Sequence, residues 1–198
     1  MTQKRLLTSS LAITLSAIAL ISTLTGCAIS PEAKKKAREE TLNKFSKLVT
    51  QHLLDRNPTT LTVSVNQLMH VEVHHNALAT LQARKILPDS NIDVLRAIDD
   101  AEVAKSTNEV QVLSVRALTP VEKDPVKFRV TGKEIFKVAG KQVDMRPFSL
   151  ELTIRLTTQM DGEPALLEVG GMTANTAFSK QAQNKSAEKN KKTSRKRG

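Results

Sequence analysis

The chain of 198 residues contains one cysteine, no tryptophan and no tyrosine. With Cys27 alone, no disulfide can form within it. Five phenylalanines make up the whole aromatic complement, too few for the stacking platforms that single-stranded nucleic-acid binders and many carbohydrate sites use. Sequence-reading nucleic-acid recognition is therefore not expected. Also missing are a Gly-x-Ser-x-Gly elbow, a phosphate-cradling glycine loop and a dinucleotide fingerprint. The expectation is a protein that is not an enzyme, with no catalytic residue, cofactor or metal ligand nominated. No internal repeat or Pro/Gly/Ser-rich linker divides the chain, so one domain is expected.

No apolar run is long enough for a comfortable membrane span. Leu11 to Leu24 is apolar apart from Thr and Ser and follows the positive head Lys4-Arg5, the plan of a secretory signal. As a helix it would cover roughly 21 Å of a hydrocarbon core ~30 Å thick. It ends in Leu24-Thr25-Gly26-Cys27, a Leu, two small residues and a Cys. This segment resembles the lipobox of bacterial lipoproteins. The resemblance implies that the Cys27 thiol receives a diacylglycerol, that a signal peptidase cuts before it, and that the new amine is acylated. One acyl chain holds a membrane marginally and two or more hold it firmly, so the protein would be anchored to the bacterial envelope. Ala28 stands where an Asp often marks inner-membrane retention, which favours the outer membrane, facing the periplasm.

A net charge of +10 suggests an anionic partner until it is counted by segment. Residues 180–198 hold eight Lys or Arg and one Glu, whereas residues 28–179 hold twenty basic and nineteen acidic side chains, a balance of +1. The charge thus belongs to the tail, whose apolar residues are only Ala182 and Ala187. Such a segment cannot offset its ordering entropy and is expected to be disordered. Two readings of it stand: a solubilising, solvated end, or an attachment in which Lys185, Lys189, Lys191, Lys192, Arg195, Lys196 and Arg197 draw it to an anionic surface or polymer such as lipopolysaccharide phosphates, acidic lipid, or DNA in a DNA-export machine. Lys34-Lys35-Lys36, just after the lipid site, would face headgroups. The expected organisation is a signal peptide at 1–26, a lipidated anchor and tether at 27–32, a single domain at 33–175 and a basic tail at 176–198.

Within the domain, Ser30-Pro31-Glu32 opens a helix with a capping hydroxyl, a pre-set φ and an acid at the positive end of the dipole. Ala37, Leu42, Phe45, Leu48, Val49 and Leu53 continue it to about Arg56, where Asn57-Pro58 stops it. Thr60 to Val65 alternates like a short strand. A second helix is expected from Asn66 to about Leu87-Pro88 on Leu68, Val71, Leu78 and Leu81, with a strand over Met69 to Val73 as the alternative. Ser90 and Asp93 begin a third helix through Leu95, Ile98 and Ala101, with acids such as Asp99-Asp100 decorating it.

The apolar period then becomes two. Val110 to Leu118 is expected as a strand with a bulge near Leu113, where its phase slips. A second strand begins at Val126, Phe128 and Val130 and runs through Phe136 and Val138 to a hairpin turn at Ala139-Gly140-Lys141. Phe148 to Leu156 alternates most regularly of all, Asp161-Gly162 turns the chain, and Leu166 to Val169 is the last strand. Gly170-Gly171 suits a bend. The fold class is α+β, N-terminal helices packed on a curved antiparallel sheet. Between about residues 33 and 172 this element order resembles the cone-shaped nuclear-transport-factor-like (NTF2-like) fold, which periplasmic scaffold domains of conjugation and type IV secretion machines use, as do several enzymes and binding modules; a cystatin-like or unrelated helix-plus-sheet arrangement is the alternative.

Two functions from different classes follow. One is a non-catalytic, lipid-anchored envelope protein that binds a protein or small apolar ligand, as an accessory part of a secretion or conjugation apparatus. The other is a periplasmic metal-binding protein or enzyme built on His70-Val71-Glu72-Val73-His74-His75, where His70 and His74 would lie one helical turn apart.

Overall fold

The computed structural model describes residues 30–156 and 163–179. The leader, Cys27, the Asp161-Gly162 turn and the tail from Lys180 lie outside the described residues.

Helix α1 spans Pro31–Leu54, and the Ser30 hydroxyl caps it by accepting the Ala33 N–H at 3.2 Å. Only its C-terminal half is amphipathic: Leu42, Ser46, Val49, Thr50, Leu53 and Leu54 are buried, while residues 31–37 are exposed. Ser46 and Thr50 tolerate burial because their hydroxyls donate to the carbonyls of Leu42 and Ser46, at 2.7 and 2.8 Å. Leu48, expected inside, is largely exposed. The early turns are tied to residues 122 and 123: Lys35 pairs with Glu122 at 2.6 Å and Arg38 donates to the Lys123 carbonyl at 2.9 Å.

The expected strand at Thr60 to Val65 is helical: α2 runs Leu61–Gln67. Its alternation is incidental, since Leu61, Val65 and Leu68 are buried at helical spacing and Val63 is exposed. The expected second helix is broken in two. A π-turn, Leu68–Glu72, closes with the Val73 N–H donating to the Leu68 carbonyl at 2.9 Å, and α3 is His75–Ala83. Between them Val73 is extended and bridges Leu166 in parallel, so the strand alternative survives as one residue. Val71, assigned to the apolar face, is exposed. Helix α4 spans Asn91–Val103 and buries Val94 and Ala101, leaving Leu95 exposed.

Four antiparallel strands, β1 Ser106–Ala117, β2 Val126–Val138, β3 Lys141–Leu156 and β4 Pro164–Gly170, form one sheet in sequence order. The α+β class is as expected. The bulge falls between Val112 and Ser114, leaving Leu113 exposed. Ala139 (φ +48°) and Gly140 (φ +78°) make the two-residue hairpin between paired Val138 and Lys141. Gly171, at φ +49°, turns the chain out of β4.

The sheet's inner face pairs Val126 with Ile154, Phe128 with Leu152, and Val130 with Leu150. These side chains are almost wholly buried beneath α1 and α3, and each contributes about 1.5–3 kcal/mol on transfer from water. A smaller cluster joins Leu61, Val65 and Val94 to Phe178. Described packing therefore continues past residue 175, where the sequence placed the end of the domain.

Candidate functional site

Along β2 the inner-face positions run Val126, Phe128, Val130, Gly132, Glu134, Phe136, changing from apolar to polar toward the Val138 end. The neighbouring strands follow the same change, because Glu134 pairs in register with Val110 and Arg146, and Phe136 with Asn108 and Asp144. One end of the inner face is thus hydrocarbon, and the other carries Asn108, Glu134, Asp144 and Arg146. Helix α1 ends over this polar patch, which is why Arg56, just beyond its C-cap, meets Glu134.

Asn108 is the hinge of the site. Its amide donates to the Leu54 carbonyl at 2.7 Å and its oxygen accepts the Arg56 N–H at 2.8 Å, which pins the chain leaving α1. Asn108 lines two clefts, one on each side.

The first cleft, about 380 Å³, has Gln51, His52, Asp55, Ser64 and Val63 among its walls. The Nδ1 of His52 lies 2.8 Å from Glu72 Oε1. A carboxylate oxygen can only accept, so toward a Glu72 carboxylate the His52 Nδ1–H is the donor of this bond. Glu72 is 3% exposed, and its other oxygen, Oε2, is buried without a hydrogen-bond partner. The π-turn is what turns this acid inward. Asp55 organises the lip: it accepts from the Asn57 N–H and the hydroxyls of Thr60 and Ser64, at 2.9, 2.8 and 2.5 Å.

The second cleft, about 240 Å³, is walled by Arg56, Phe136, Val138, Val143, Asp144 and Arg146, with Ser106 and Thr107 at its side. Both guanidinium carbons lie over the Phe136 ring, Arg56 at 5.4 Å and Arg146 at 5.2 Å from its centroid. Arg56 is mostly buried, and its Nε stands 3.6 Å from Glu134 Oε1, outside hydrogen-bonding distance. Its Nη2 donates to the Asn175 carbonyl. Burial pushes the Arg56 pKa down, the Glu134 carboxylate raises it in part, and the neighbouring Arg146 lowers it again. Arg146 is more exposed and donates through Nε to Asp144 Oδ2 at 2.6 Å.

The histidine cluster of the sequence is not assembled. His70 lies in the π-turn and is exposed, whereas His74 caps α3, its Nδ1 accepting the Asn76 N–H at 3.3 Å. The break at Val73 removes the continuous helix on which the two would have shared a face. His74 instead stacks on His75, with ring centroids 4.3 Å apart. Among the described residues no group of three or more His, Cys, Asp or Glu is placed to hold a metal ion. Sequence reasoning missed the histidine that does meet an acid, His52, because its partner lies twenty residues away. One signal was available, the charge of Glu134 in the apolar phase of β2.

No protein-family model matches the chain, and no curated protein matches it.

Proposed function

We propose that this chain is a non-catalytic, lipid-anchored bacterial envelope protein, held through acyl chains on Cys27 and exposing a ligand- or protein-binding domain to the periplasm. The observation that carries this reading is Leu24-Thr25-Gly26-Cys27 at the end of an apolar segment too short to span a bilayer. Among the described residues no helix is long and apolar enough to cross a membrane. The working role is an accessory part of a secretion or conjugation apparatus. Its support is the order of helices before an antiparallel meander, by which we infer kinship with the NTF2-like fold; the clefts beside Asn108 supply the binding surface.

Expression in a bacterial host with an alkyne-bearing palmitate tests the anchor. The protein is expected in the membrane fraction, labelled, with an intact mass that accounts for loss of residues 1–26 and addition of acyl groups. Cys27→Ser should abolish labelling and leave the leader attached. An unlabelled wild type with its leader uncut would overturn the proposal.

A further inference from the structure

The Arg56 cleft brings together features that do not satisfy one another. Two guanidinium groups share the Phe136 ring; Arg56 is held through Nη2 by the Asn175 carbonyl while its Nε makes no hydrogen bond, and Arg146 meets Asp144 through Nε. The third cation, Lys137, is taken by Glu109 at 2.9 Å. Val138 and Val143, on the same wall, are 40% and 60% exposed. A guanidinium edge is a planar fork that matches a carboxylate, and exposed valines beside it offer an apolar contact. Acids already present limit the charge that can enter: Glu134 lies by Arg56 and Asp144 by Arg146, so a dianion would meet two carboxylates. A volume of about 240 Å³ lies below the usual range for drug-sized ligands, which restricts the occupant to a few carbon atoms or one chain end.

We propose that the cleft between Arg56 and Arg146 binds a monocarboxylate, its acid group received by the two guanidiniums and its short apolar chain laid against Phe136, Val138 and Val143. This deepens the binding role proposed above, but it does not depend on acylation, so an unmodified Cys27 leaves it standing.

Titration calorimetry on the full chain in detergent, at low ionic strength, tests it with hexanoate as the probe. Hexanoate is expected to bind with a Kd on the order of 1 mM or tighter. Arg146→Gln, at a side chain that is 63% exposed and therefore dispensable for folding, should weaken it by about tenfold at an unchanged Tm. Arg56→Lys, which keeps the charge and loses the fork, should weaken it too. Two sources of the carboxylate are separated by acetyl-Gly-Val-Val with a free or an amidated C-terminus. Tighter binding of the free-acid peptide than of hexanoate assigns the cleft to a protein terminus, and the reverse order assigns it to a small free acid. Failure of hexanoate and both peptides to bind, equal binding by Arg146→Gln, or preference for inorganic phosphate over hexanoate would each overturn the proposal.

Discussion

Gly132 and Ala139 show how single positions in this sheet are constrained in opposite ways. At Gly132 an added Cβ would run into the Gln111 carbonyl and lie 2.5 Å from the Phe148 ring, so backbone or ring must move. Gly132→Ala is expected to destabilise the protein by about 1–3 kcal/mol, read as a lower denaturation midpoint at unchanged slope. Ala139 is a residue with a Cβ in a left-handed conformation that favours Gly or Asn. Ala139→Gly should therefore stabilise by roughly 0.5–1 kcal/mol, and a lower midpoint would contradict the strain assigned to this turn. The turn itself was legible in the sequence because Gly140 follows Ala139 between alternating runs. Gly132 was not, because its requirement is set by a ring on the next strand.

At the scale of elements, local pattern served the strands and failed where a distant partner decides. The β-bulge at Leu113 and the alternation from Phe148 to Ile154 are visible in the residues themselves, since period two exposes any slip. Thr60 to Val65 misleads because apolar Leu61, Val63 and Val65 alternate with hydroxyl residues there, while Asp55 holds Thr60 and Ser64 on a helical turn. The same limit hid the candidate site: His52 and Arg56 at the end of α1, Glu72 in the π-turn and Arg146 on β3 come from three separate stretches and carry no local motif. A double-mutant cycle on His52→Ala and Glu72→Ala should give a coupling of about 1–3 kcal/mol in unfolding free energy, and additive effects would mean that the pair is not made. Docking of early α1 has its own pH signature. Hydrogen bonding to Lys35 holds the Glu122 carboxyl below its ordinary 4.5, and Glu122 raises Lys35 above its ordinary 10.5. An acid with a depressed pKa contributes above its unfolded value and loses that contribution as pH falls through its folded one, and a raised lysine contributes below its unfolded value and loses it as pH rises through its folded one. Amide exchange around Lys35 to Arg38 is expected to speed up, relative to the intrinsic rate, on acidification below the Glu122 range. Glu122→Gln should remove that dependence, and an unchanged profile would count against the contact.

For the whole molecule, charge divides the chain unequally: residues 28–179 are nearly neutral and residues 180–198 strongly basic. Removing residues 180–198 from a lipid-free protein should reduce binding to vesicles rich in acidic lipid, and added salt should reduce binding of the intact form. Sedimentation of vesicles with each protein checks both, and equal binding with and without the tail would assign the attraction elsewhere. The two clefts are expected to survive that truncation, since their described walls end at Arg146.

The length of α1 has a consequence beyond packing. Twenty-four residues make a rod of about 36 Å, whose first turns stand clear of the core and whose last turn carries the Asn108 site. If Cys27 sits in a bilayer, three residues separate it from the foot of that rod, and the rod becomes a spacer: cargo or partner is met well above the lipid plane. On the proposed anchoring, shortening the exposed turns would bring the clefts closer to the membrane while leaving their walls intact.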